Sequence, residues 1–221
     1  MTGVNPNTSN RMVLLLIGGI PLTVILVATW MWYFVVRGDL DLVGILGTAN
    51  NGTLVQPPRQ LDDEMLYDEQ GLRVNFADLE PRWAMLVPAA TGNCDKACEK
   101  SLYLTRQVRV AMGKDFARLR RLYVSPESVQ DTRLMAPTLS DGRPASAAGD
   151  FKQYLATEHK GLRALTLPAA GYEALFPEHA VDSSTWYLVD PAGWIMMSYN
   201  GEVPYKNVIA DLKFLLKNSS G

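Results

Sequence analysis

Between Met12 and Val36 the chain carries no charged side chain, and Leu, Ile, Val, Trp, Phe and Met dominate the run. Roughly 20 apolar residues in a helix suffice to cross the hydrocarbon core of a bilayer, and this stretch exceeds that length. Arg11 and Arg37 bracket it, and Trp30, Trp32 and Tyr33 suit an interfacial aromatic belt at its distal end. A cleaved signal peptide is the rival reading, since Gly47-Thr48-Ala49 offers small residues near a cleavage position. Signal cores run about 7–15 residues, too short for this stretch, so a retained anchor is expected.

The charges flanking the run orient it weakly. Arg11 and the terminal amine precede it, while Arg37, Asp39 and Asp41 follow, and acidic residues count little. A short polar tail with nothing to fold is easily left in the cytoplasm. The expected order is a cytoplasmic tail over 1–11, an anchor over 12–36, a linker over 37–61 and a globular domain over 62–221. That domain would face the periplasm from a bacterial inner membrane, a setting in which a close cysteine pair can oxidise. The linker is read from Gly47-Thr-Ala-Asn-Asn-Gly52 and Pro57-Pro58; the Asn51-Gly-Thr acceptor pattern within it is common by chance.

A net charge of −2 over 221 residues gives no reason to expect nucleic acid as a partner. Arg118, Arg120 and Arg121 read as the start of a strand with a solvated rim. No phosphate-cradling glycine loop and no His-Glu-x-x-His motif is present.

The globular part opens with a hairpin, Leu66-Tyr67 and Leu72–Val74 around a turn ending at Gly71. Trp83–Val87 is nearly continuous in apolar residues, the pattern of a strand buried on both faces. A helix follows, with Asn93 as cap, Ala97, Ser101, Leu104, Val108, Ala111 and Met112 on one face, and Gly113 as its stop. Leu119–Val124 gives a second central strand. The segment 126–149, rich in Pro, Ser, Ala, Gly and Asp, reads as a long surface loop. Phe151, Tyr154 and Leu155 suggest a helix and Leu162–Leu167 a strand, with a helical turn over Tyr172–Phe176. Thr185–Val189 and Trp194–Ser198 form a hairpin through Asp190-Pro-Ala-Gly193, a type I turn. A closing helix runs from about Tyr205 to Lys217. Met196 and Met197, adjacent in a strand, should face opposite sides. This order predicts an α/β fold with a mixed sheet flanked by helices.

The only two cysteines, Cys94 and Cys98, stand where the first central strand gives way to a helix. At a helix start their spacing puts both thiols on one face, a turn apart. They can close a disulfide or offer two soft thiolates to a metal. A dicysteine motif directly after the first central strand points to a thioredoxin-like plan.

With these residues the domain resembles the Sco/SenC family of membrane-anchored cytochrome oxidase assembly proteins, over about Asp68 to Lys217. The likeness rests on Asp68-x-x-Gly71, Cys94-x-x-x-Cys98, Val124-Ser-Pro-Glu127 followed by Asp131-Thr132, Leu165-Thr166, and Tyr187-Leu-Val-Asp-Pro-x-Gly193. The family usually places proline after each cysteine, where this chain has Asp95 and Glu99. It also carries Asp-His-Ser before the final hairpin, where this chain has Asp182-Ser183; His179 is the nearest histidine. The resemblance implies copper as Cu(I), held by Cys94, Cys98 and, as third ligand, His179, with oxidase subunits or another copper carrier as partners. His159, at a helix end beside Lys160, is more simply a capping residue.

Thiol–disulfide exchange with a specific partner is the second reading. Three residues between the cysteines, and no proline in Val181–Thr185, argue against broad dithiol exchange. A scaffold without chemistry of its own is the third.

Overall fold

The expected double-faced strand is the middle of the sheet. Trp83–Pro88 (β4) is buried at every position, and beside it lies Leu119–Ser125 (β6) in parallel register from Trp83–Leu119 to Pro88–Val124. The computed structural model describes residues 6–37 and 50–219. The expectations for residues 1–5 and for the linker over 38–49 lie outside the described residues.

The chain divides into two units, Met1–Ala49 and Asn50–Gly221. The first contains α1, Pro6–Arg37, whose Leu15–Tyr33 stretch is long and apolar enough to cross a membrane.

In the second unit the remaining elements are β1 (Thr53–Gln60), β2 (Leu66–Tyr67), β3 (Arg73–Val74), β5 (Asn93–Cys94), α2 (Lys96–Ala111), β7 (Arg133–Leu134), α3 (Phe151–Glu158), β8 (Leu162–Thr166), α4 (Ala169–Leu175), α5 (Pro177–Val181), β9 (Trp186–Val189), β10 (Trp194–Tyr199) and α6 (Tyr205–Asn218). One mixed sheet runs β1-β10-β9-β4-β6-β8-β2-β3, with β4, β6 and β8 parallel; β5 and β7 pair separately. Strand alternation sorts the core into two layers. Trp83, Met85 and Val87 join α2 and α6 residues such as Leu102 and Leu212 on one side. Ala84 and Leu86 join Leu165, Tyr172 and Phe176 on the other. Each buried large side chain contributes about 1.5–3 kcal/mol of transfer free energy.

Several expectations change. Residues 53–60, expected as linker, form an edge strand on β10, with a register shift between Leu54 and Arg59. Pro57 and Pro58 sit there because an edge strand with broken register needs fewer ladder donors. Helix α2 is capped by Asp95, whose Oδ1 accepts from the Cys98 N–H at 2.9 Å, while Asn93 belongs to β5. Its buried face is Cys98, Glu99, Ser101, Leu102, Thr105 and Val108, turned from the expected stripe because Cys98 and Thr105 have interior partners. Gly113, with φ +57°, does stop it. A bulge between Ile195 and Met197 breaks the alternation, so Met196 and Met197 pack against the same layer. The 126–149 segment is no free loop: Val129, Thr132, Ala136, Leu139, Ala145 and Ala148 are buried.

The solvated rim expected at Arg118–Arg121 fails at Arg121, which is 2% exposed. Its Nη2 donates to the Leu102 carbonyl at 2.6 Å and to His159 Nδ1 at 3.1 Å, and its Nε to Thr105 Oγ1 at 3.2 Å. Burial, with Arg106 and Arg109 nearby, lowers Arg121 to about 9, so it stays charged at neutral pH. His159 is the C-cap residue of α3 as expected, but it is buried. Burial first, then Arg121 and Arg106, pushes its imidazole down to about 2. The neutral ring accepts from Arg121, so the proton sits on Nε2.

Asp211 of α6 is likewise buried and gathers the entry to β1. Its carboxylate accepts from the Asn51 and Gly52 N–H groups, each at 3.0 Å, from Asn51 Nδ2 at 2.8 Å and from Tyr199 OH at 3.0 Å.

Two outcomes are expected. Below about pH 6.5 the unfolded imidazole of residue 159 takes a proton that the folded one refuses, so stability falls by up to about 1.4 kcal/mol per pH unit. Unfolding of the full chain in detergent, followed from pH 7.5 down to 5, should therefore show a shallower loss for His159→Gln; parallel profiles would contradict the assignment. Asp211→Ala should cost about 2–4 kcal/mol by orphaning buried donors, and should speed amide exchange in β1 ahead of β9.

Candidate functional site

The site grows from the end of β4. After Pro88 the chain turns through Ala89–Gly92 and enters β5, whose Cys94 pairs with Leu134 of β7. The Arg133 N–H donates to the Gly92 carbonyl and the Met135 N–H to the Cys94 carbonyl, each at 2.8 Å. The Glu127 carboxylate lies close against Gly92, where a Cβ would oblige that exposed side chain to move. Cys98 stands in the first turn of α2. The two sulfurs are joined as a disulfide, with Cα atoms 5.2 Å apart. So Cys94 and Cys98 do meet, although Cys94 lies in a strand and only Cys98 in the helix.

Both cysteines are interior, at 0% and 5% exposure, packed in the same layer as Val87, Leu102 and Leu139. The 126–149 segment lies against them: β7 pairs with β5, and Val129, Leu134 and Leu139 pack in the same layer.

Glu99, which follows Cys98 where the family usually has proline, ties that segment down. It is 1% exposed and accepts from the Ser140 N–H at 3.0 Å, from the Ser140 hydroxyl, and from Tyr154 OH at 3.2 Å. Burial and the Glu99 charge both push the Tyr154 phenol up, so it remains a donor at any ordinary pH. Nothing in the hydrophobic pattern marks Glu99 as interior; the signal is its partner residues, which lie far away in sequence.

His179 lies in α5 and is 6% exposed. It shares a hydrogen bond of 3.0 Å between Nδ1 and Tyr172 OH, and its N–H donates to Tyr187 OH at 3.2 Å. Burial lowers its pKa, while the charges of Asp95 and Asp182 and a bond to the Ser183 backbone oppose the shift. A neutral ring is the form a metal ligand needs. Among the described residues, however, no three His, Cys, Asp or Glu side chains are grouped to hold a metal ion. Two sulfurs, once reduced, are soft donors of the kind Cu(I) takes, whereas His179 is engaged with Tyr172 in this conformation.

The Asp182–Ser184 segment, the register of the family's histidine, serves a different purpose. Asp182 Oδ1 accepts from the Ser184 N–H and hydroxyl, and Ser184 Oγ accepts from the Gly201 N–H at 2.9 Å. The Ser101 hydroxyl donates to the Ser184 carbonyl at 3.3 Å, pinning this segment to α2. His159, buried on Arg121, belongs to the core.

Two solved structures of yeast Sco1, one with copper bound, share this fold with a TM-score of 0.51 at 17% identity. Each match covers 79% of this chain, and 97% and 99% of the respective Sco1 chain. At that identity the likeness is one of fold, and it agrees with the Sco/SenC-like plan expected from the motifs. No curated protein matches the sequence. A family model described as "Transmembrane-like, thioredoxin-like, C-terminal domain" matches residues 83–147 and 143–219. With β4, the dicysteine turn, α2 and the closing hairpin all inside that span, the chain belongs to the transmembrane-like, thioredoxin-like family.

Proposed function

We propose that this is a membrane-anchored thioredoxin-like protein that handles thiols and copper, with Cys94 and Cys98 cycling between disulfide and dithiol. The observation that carries it is the closed pair at the end of the central parallel strand, its two sulfurs bonded across one turn. Reduction by a partner dithiol breaks the Cys94–Cys98 bond and forms one in the partner, with two electrons and two protons passing to this chain. The helix start and the cationic Lys96 and Lys100 favour thiolate, while Asp95 and Glu99 oppose it.

In the reduced state the two thiolates take Cu(I) as cargo, and His179 becomes the third ligand by leaving Tyr172. The client is an oxidase subunit or another copper carrier, and the transfer assists assembly of the copper site of a cytochrome oxidase. This part of the reading rests on the motif resemblance. The apolar Leu15–Tyr33 stretch supports membrane anchoring; the membrane proposed is a bacterial inner membrane, with the domain on the periplasmic side.

A second reading, thiol exchange with one partner and no copper, is favoured by the disulfide itself and by His179 being engaged with Tyr172.

Titration of the reduced full chain in detergent with Cu(I), against a chromogenic chelator, separates the two. Copper handling requires binding that vanishes in the Cys94→Ser/Cys98→Ser variant and weakens about tenfold in His179→Ala. Unaltered affinity in the double variant eliminates the metal, and a chain that binds no Cu(I) yet reduces a partner disulfide is an exchange protein. On either reading the disulfide must be uncovered first. Ser140→Ala removes one donor to Glu99, worth about 1 kcal/mol, and should speed reduction by dithiothreitol about fivefold. An unchanged rate would show that the cover does not gate access.

A further inference from the structure

The arginines read as a solvated rim have a second aspect at the end of the sheet away from the cysteines. Strands β4, β6 and β8 all begin there, at Trp83, Leu119 and Leu162. Register pairs Ala84 with Arg120 and Leu122 with Arg163, so Arg120 and Arg163 emerge on one face; Arg82 lies two residues before Ala84 on the same alternation. Together they line an open cleft of about 250 Å³ with Leu79, Glu80, Leu122, Gly161 and Arg121, whose guanidinium is held by Leu102, Thr105 and His159.

The charges in this cleft do not balance. Arg82 pairs with Glu80 at 2.6 Å, the one ion pair at the cleft among the described residues. Arg120 and Arg163 form none; the Arg120 guanidinium lies 5.7 Å from the Phe76 ring centroid, and its Nε is buried with no hydrogen-bond partner. With the Arg121 guanidinium engaged by Leu102, Thr105 and His159, three guanidinium groups against one carboxylate leave a surplus of two positive charges at the cleft. Guanidinium forks suit planar or tetrahedral oxyanions, which can accept several N–H groups at once.

We infer that this cleft binds a phosphate group, with Arg82, Arg120 and Arg163 as its donors and Glu80 as the residue that limits its affinity. Charge and size both fit, since a phosphate dianion neutralises the surplus and the cleft has room for a substituent on the phosphate. Burial lowers the pKa of Arg120, Arg82 and Arg163 lower it further and Glu80 raises it, so an anion in the cleft acts in the same sense as Glu80. The source is either a free phosphate compound or a phosphate of the lipid surface to which the chain is anchored.

The full chain in neutral detergent, titrated with inorganic phosphate against chloride at matched ionic strength, tests the site through its thermal unfolding. A saturable stabilisation specific to phosphate is expected. Arg120→Gln and Arg163→Gln should each weaken it about tenfold, and Glu80→Gln should strengthen it severalfold. Because Arg163 is exposed, its variant keeps the test valid if Arg120→Gln fails to fold. No saturable effect in the wild type, or equal affinity in Arg163→Gln and Glu80→Gln, overturns the inference. Repeating the titration in nanodiscs of phosphatidylcholine with and without phosphatidylglycerol identifies the source. A lipid occupant makes phosphatidylglycerol compete with inorganic phosphate in the wild type, whereas affinity unchanged by the lipid assigns the cleft to soluble phosphates.

Discussion

The parallel ladder between β4 and β6 sets the position of everything chemical in this domain. Both of its faces are covered, so Ala84 and Leu86 enter one core layer and Met85 and Val87 the other, and neither strand can slide without inverting both sets. The ladder ends at Pro88–Val124, and the cysteine turn springs from that fixed end. Charges that cannot enter a dry ladder collect at its other end, where Glu80, Arg82 and Arg163 stand. The two poles follow from one constraint, the length of chain that can be buried on both sides.

Besides Asp211 on α6, two charged side chains enter the interior, and they hold α2 at two heights. Arg121 reaches across from β6 to the Leu102 carbonyl and Thr105, in the middle of the helix. Glu99 reaches from its first turn to Ser140 and Tyr154. The two form no ion pair with each other; each is satisfied by neutral donors or acceptors, as an isolated buried charge must be. Glu99, directly after the second cysteine, thus makes a polar tie between the cysteine helix and the 126–149 segment.

Legibility in the sequence followed the range of the interactions. Strands β4 and β6, the β9–β10 hairpin and the closing helix announce themselves through local period and turn chemistry, such as Asp190 Oδ1 accepting from the Ala192 and Trp194 N–H groups. The cysteine pairing was readable as one option because both partners lie within one turn. Three things were not readable. Pro57-Pro58 looks like linker, since edge pairing to β10 leaves no period of its own. The polar composition of 126–149 hides six buried residues, because they are spaced by no regular repeat. Arg121 and Glu99 look like surface charges until Thr105, His159, Ser140 and Tyr154 are brought to them by the fold.

That third class bears directly on how the sulfurs can react. A disulfide at 0% and 5% exposure is attacked only when its cover lifts. Lifting β7 breaks the bonds from Arg133 and Met135, and freeing Ser140 breaks two more to Glu99. At about 1 kcal/mol net for each such bond, the open form amounts to roughly one molecule in a thousand before any apolar contact is counted. A small reductant in bulk solution therefore meets a slow target. A protein that binds the open segment shifts that equilibrium by its own binding energy and reacts faster in proportion. On the proposed function, burial of the pair, which at first sight argues against chemistry, would act as a filter that admits a docking partner and excludes indiscriminate exchange.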